Sequence, residues 1–145
     1  MPQKRLTPTQ MLTAVLALYW LALFIGTHIP MSSGTGGGGL HLIGLYVNDK
    51  VLHLGAYGGL TFLLAWVLSS KSPLSRADYL GLWLVAIIYG AADEMLQKLI
   101  EGRHADFWDW VADGGGGFAS LIAFAVARRV WNRRKTRRQP DDDER

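Results

Sequence analysis

The sequence predicts an all-α fold, a four-helix transmembrane bundle with both termini in the cytoplasm. Three observations carry this reading. Half of the residues are hydrophobic, and they fall in four long blocks rather than at amphipathic spacing. Helices that are apolar nearly all round need lipid or a large protein interior to cover them, and 145 residues cannot build such an interior from their polar remainder. Each block approaches the ~20 residues that cross a hydrocarbon core at 1.5 Å rise per residue. None of them alternates with period 2, and in lipid only helices or closed barrels satisfy every backbone group, so helices remain.

The first helix is expected from Met11 to Ile29. Lys4 and Arg5 precede it as they would a signal peptide, but the apolar stretch is long for that purpose. It ends in Gly26-Thr27-His28-Ile29-Pro30 without a small-x-small cleavage site, so it is read as a retained helix. The glycine-rich stretch from Ser32 to Gly39 reads as a flexible loop. It is not a phosphate cradle, which needs a following Lys-Ser/Thr at a helix start. The second helix is expected from Val51 to Leu68, the third from Tyr79 to Ile100 and the fourth from Trp110 to Val130. Gly55 and Gly59 form a small-xxx-small pair suited to packing the second helix on a neighbour. Gly114-Gly115-Gly116-Gly117 weakens the fourth helix and predicts a kink or widened turn beneath Asp113. The chain then divides into a cytoplasmic segment 1–9, a transmembrane domain 10–131 and a disordered charged cytoplasmic tail 132–145.

Orientation follows from the basic residues. Lys4, Arg5, Lys71, Arg76 and the basic residues from Arg128 onward share one side, whereas Lys50, Lys98 and Arg103 lie on the other. The side rich in Lys and Arg is the cytoplasmic one. Trp108 and Trp110 then sit at the outer interface and Trp131 at the inner one, as an aromatic belt would place them. The formal net charge of +3 does not point to nucleic acid, because the basic tail beside the membrane suits anionic lipid. Without a single cysteine, disulfides and thiolate metal sites are excluded.

This topology brings one end of the second, third and fourth helices to the outer face, where the polar residues gather. Asp49, His53 and Tyr57 are spaced i, i+4 and i+8 and line one face. Tyr89, Glu94 and Gln97 close the third helix, with Asp93 turned roughly 100° from Glu94. Arg103, Asp106, Asp109 and Asp113 lead into the fourth, the three acids again on one face. Ionisable groups within apolar helices are costly and normally face the bundle interior or a wet cavity, which makes a site the first hypothesis. The alternative is a structural clamp in which Lys50 and Arg103 pair with these acids. Asp109 could also cap the fourth helix, where free N–H groups meet a carboxylate.

The strings Asp49-Lys50-x-x-His53, Tyr89-Gly90-x-x-x-Glu94-x-x-Gln97 and Gly102-Arg103 followed by Asp109, with Thr27-x-x-Pro30 ending the first helix, resemble the VanZ-like membrane proteins. The resemblance covers residues 10 to 125. It implies work at the bacterial cell envelope, in a family named for a protein associated with resistance to the glycopeptide teicoplanin. It carries no catalytic assignment. The family usually has Asn where this chain has Asp113. An acid lacks the two amide donors, so Asp113 is expected either to be protonated or to pair with Lys50 or Arg103.

On these grounds the expected function is a site at the outer membrane face that binds or modifies an anionic lipid headgroup or a lipid-linked cell-wall precursor. Glu94 or His53 would act as general base, Asp49 would orient His53, and Lys50 and Arg103 would hold the anion. Gln97, Asp109, Asp113, Tyr57 and Tyr89 would complete the binding surface. The alternative is a non-catalytic envelope scaffold. A divalent metal held by His53, Asp49, Glu94 and Asp109 is a third reading, but no tight ligand motif is present, so neither metal nor cofactor is assigned. Expected partners are membrane lipid and copies of the chain itself, in the bacterial cytoplasmic membrane.

Overall fold

The computed structural model describes residues 5–28, 39–42, 45–101 and 103–137. Expectations about Lys4, Pro30, residues 32–38, Gly102 and the tail after residue 137 lie outside these. The elements run α1 (Pro8–His28), β1 (Gly39–Leu42), β2 (Leu45–Asn48), α2 (Asp49–Ser69), α3 (Arg76–Gln97) and α4 (Phe107–Arg137). Each of the four helices is long and apolar enough to cross a membrane. The 21 residues of α1 or α2 span about 31 Å, which matches a hydrocarbon core of about 30 Å. Leu18, Leu21, Ile25, Ile88, Phe118, Ile122 and Val126 present large apolar side chains outward, far more than a water-soluble chain tolerates.

The helix starts are set by local polar chemistry. Before α1, the Thr7 N–H donates to Gln10 Oε1 (2.8 Å) and the Gln10 N–H to Thr7 Oγ1 (3.3 Å), with Pro8 in the first turn. Asn48 caps α2 by accepting from the Lys50 N–H at 3.0 Å. A reciprocal Ser75–Asp78 box starts α3 at Arg76, three residues before the expected Tyr79. Asp106 Oδ1 accepts the Trp108 N–H at 2.8 Å, so Asp106 rather than Asp109 caps α4, which begins at Phe107. At the other end α4 continues through Arg137, past the expected Val130. Arg and Lys are good helix formers and suit a helix C-terminus, so the first part of the charged tail is helical rather than disordered.

Two further expectations are corrected. A short antiparallel hairpin that the sequence did not announce precedes α2, with Gly39 opposite Asn48 and Leu42 opposite Leu45, beside an otherwise all-helical fold. Nor do the four glycines open a widened turn in α4, which is α-helical throughout. Their use is close approach. A Cβ on Gly116 would collide with the Leu54 carbonyl of α2, and one on Gly58 would lie 3.1 Å from the Gly116 carbonyl oxygen. In lipid there is no hydrophobic drive between helices, so such backbone-to-backbone packing supplies the contact. It is Gly58 that meets α4. Gly55 meets nothing within 4 Å and Gly59 meets the Tyr19 hydroxyl of α1.

Two apolar clusters fill the bundle, one of Ala65, Leu82, Leu121 and Phe124 and one of Leu23, Tyr57 and Leu60. The Tyr19 hydroxyl donates to the Ala56 carbonyl at 2.9 Å and ties α1 to α2. The Trp83 and Trp110 indole N–H groups donate to Gly114 and Ile87 carbonyls at 3.0 and 2.9 Å and tie α3 to α4. The helices alternate in direction, so the C-terminal ends of α1 and α3 meet the N-terminal ends of α2 and α4.

Candidate functional site

At that shared end the polar residues form one connected body. Its centre is a buried hydrogen-bonded pair across the α2–α4 contact. His53 Nδ1 lies 2.9 Å from Asp113 Oδ1, with 6% of the His53 side chain exposed and none of Asp113. The glycine contact one turn further in, between Gly58 and Gly116, brings the helices close enough for this pair. Gly90 of α3 makes room on the third side, since a Cβ there would lie 2.8 Å from Asp113 Oδ2. Glu94 reaches in from the end of α3. Its Oε2 accepts the Asp106 backbone N–H at 2.8 Å, while its Oε1 is buried without a hydrogen-bond partner, as is Asp113 Oδ2. Such unpaired buried oxygens are rare in native interiors.

The rim is a clamp. Lys50 Nζ donates to Asp106 Oδ2 at 2.6 Å and to Asp109 Oδ1 at 2.9 Å, bridging α2 to the start of α4. The Lys50 ammonium, with help from the Trp108 N–H, holds the Asp106 carboxyl below the usual carboxylate range. On the far side Asp93, fully buried, accepts from Thr27 Oγ1 of α1 (3.1 Å) and from Gln97 Nε2 (3.0 Å), with His28 Nδ1 at 3.6 Å. Arg103 closes this side, donating to the Gly26 carbonyl (3.0 Å) and to Gln97 Oε1 (3.5 Å). Tyr57 lies fully buried between the two halves, its ring parallel to His53 at 6.3 Å and 5.6 Å from Tyr89. The Tyr57 and Tyr89 hydroxyls are buried without hydrogen-bond partners. Beside Tyr89 runs an apolar groove of about 320 Å³ lined by Leu16, Trp20, Leu60, Leu64, Val85 and Ala86.

Compared with protein-family models, curated proteins and solved structures, the chain gives no match. The site therefore speaks through its own geometry.

His53, Glu94, Asp109 and Asp113 come together as expected, with Asp49 half-buried beside them. Three roles change. The partner that orients His53 is Asp113 and not Asp49: a residue one turn back on the same helix gives way to one facing it across the interface. Asp113 pairs with His53 rather than with Lys50 or Arg103. Lys50 and Arg103 both bind the protein itself, through carboxylates and through carbonyl oxygens, instead of presenting an open anion grip. Asp93, turned away from Glu94 on helical geometry, is not among the residues the sequence assigns to the site. That same rotation aims it at α1, and its i, i+4 spacing to Gln97 was the available signal.

Proposed function

We propose that this chain is a VanZ-like protein of the bacterial cell envelope. Its buried polar centre binds, or acts on, an anionic lipid headgroup or lipid-linked cell-wall precursor at the outer membrane face. The observation that carries the reading is the His53–Asp113–Glu94 centre, buried at the end of four apolar helices with carboxylate oxygens left unpartnered. Polar groups at such depth are costly, and function is the usual reason for keeping them. Either His53, oriented by Asp113, or Glu94 accepts a proton from the bound headgroup. The groove beside Tyr89 suits an acyl chain, which would leave the headgroup at the centre. The Lys/Arg distribution supports cytoplasmic termini, and on that reading this end of the bundle faces outward.

The test is teicoplanin tolerance of cells expressing the full chain, with His53→Gln and Glu94→Gln beside it. Both variants keep a hydrogen-bonding side chain while removing the titratable group. The expected result is raised tolerance with the natural chain and none with either variant, at equal abundance in the membrane. Full tolerance from both variants contradicts the reading. The Lys50–Asp106–Asp109 clamp favours a second reading for the rim alone, that of a scaffold. That reading expects the same variants to lose tolerance only as far as they lose abundance.

A further inference from the structure

We propose that His53, Glu94 and Asp113 hold a divalent first-row cation, Mn2+ or Zn2+. A ring nitrogen of His53 and one carboxylate oxygen from each acid lie within 4.8 Å of one another, and all three residues are buried. A second trio, Asp49, His53 and Asp109, meets the same limit and shares the histidine, so further carboxylate ligands stand next to the first. Metal bonds of about 2.0–2.2 Å place ligand atoms roughly 3–3.5 Å apart. The ligand atoms, at most 4.8 Å apart, would draw together by that difference on binding an ion.

Two independent features turn this cluster from a collection of acids into a candidate site. Glu94 Oε1 and Asp113 Oδ2 are buried without hydrogen-bond partners on side chains more than nine-tenths buried. A carboxylate oxygen out of water and unpaired is expensive, and a cation relieves that cost directly. The second feature is preorganisation. The Asp106 N–H fixes the other Glu94 oxygen at 2.8 Å. Supporting contacts of this kind orient metal ligands. One imidazole with two or more carboxylates is a mixed set that suits Mn2+ or Zn2+, since carboxylates favour the former and imidazole the latter. The rim contributes as well. Lys50 is held by Asp106 and Asp109, so the ion would supply the charge that balances the Glu94 and Asp113 carboxylates.

The inference stands on geometry alone and does not depend on the headgroup reading. A chain that holds metal yet confers no tolerance overturns that reading and leaves this one intact. The experiment uses the full chain in detergent, purified without chelator, treated with EDTA and then given Zn2+ or Mn2+. Metal content is measured after gel filtration and thermal stability in parallel. About one ion per chain is expected, with a rise in melting temperature on addition. Both effects should fall by about tenfold or more in His53→Gln and Glu94→Gln. Asp106→Asn, on the rim, should retain the ion. A natural chain that stays metal-free with added Zn2+ and Mn2+ overturns the proposal even if the variants fail to fold. Equal metal in both Gln variants overturns it too.

Discussion

His53 and Asp113 stabilise each other only as a pair. Taking away one partner leaves the other buried without its hydrogen bond, which costs about 1–3 kcal/mol. His53→Leu should therefore lower stability by that order in a denaturant titration of the full chain. The double variant His53→Leu with Asp113→Leu should recover most of the loss, because two apolar side chains of matched size suit the α2–α4 contact. A double variant as unstable as the single one would show that the pair is not coupled. Both residues were legible in the sequence as titratable groups within apolar blocks, but their partnership was not. It depends on how far each helix is rotated and how closely α2 approaches α4, and neither is written in spacing along one chain. Asp93 shows the same limit from the other side. Helical geometry separated it correctly from Glu94, yet only the position of α1, with Thr27 and Gly26 at its end, reveals what that other direction faces.

At the scale of elements, hydrophobic length was enough to find all four helices, because covering a backbone in lipid leaves little choice. Their ends moved by a few residues wherever a cap decided the matter, as Ser75–Asp78 does for α3 and Asp106 for α4. The β1–β2 hairpin escaped because four-residue strands beside a run of glycines offer too short a pattern to separate from loop. The glycines of α4 were misjudged for a different reason. Intrinsic propensity predicts a weak helix, whereas packing against Leu54 and Gly58 keeps it helical through the glycines. Two substitutions separate these effects. Gly115→Ala meets nothing within 4 Å and should raise stability by up to about 1 kcal/mol through helix propensity. Gly116→Ala drives a methyl into the Leu54 carbonyl and should push α4 off α2, with a lowered melting temperature and loss of the His53–Asp113 pair. Similar behaviour of the two variants would contradict the packing account.

Over the whole molecule, four helices are long and apolar enough to cross a membrane, and our proposal puts the end that gathers His53, Glu94 and Asp113 on the outer side. The first follows from length and outward-facing apolar surface. The second rests on the Lys/Arg distribution, and it decides whether any ligand from the envelope can reach the polar centre. The chain has no cysteine, so single cysteines report topology without background. Ser72 lies exposed between α2 and α3, and His104 lies exposed between α3 and α4 at the polar end. The most direct measurement is labelling of Ser72→Cys and His104→Cys in intact cells with a membrane-impermeant maleimide. The account predicts that the cysteine at position 104 is labelled, and that the one at position 72 reacts only after the membrane is opened. Labelling at 72 with protection at 104 would place the polar centre on the cytoplasmic side and contradict it.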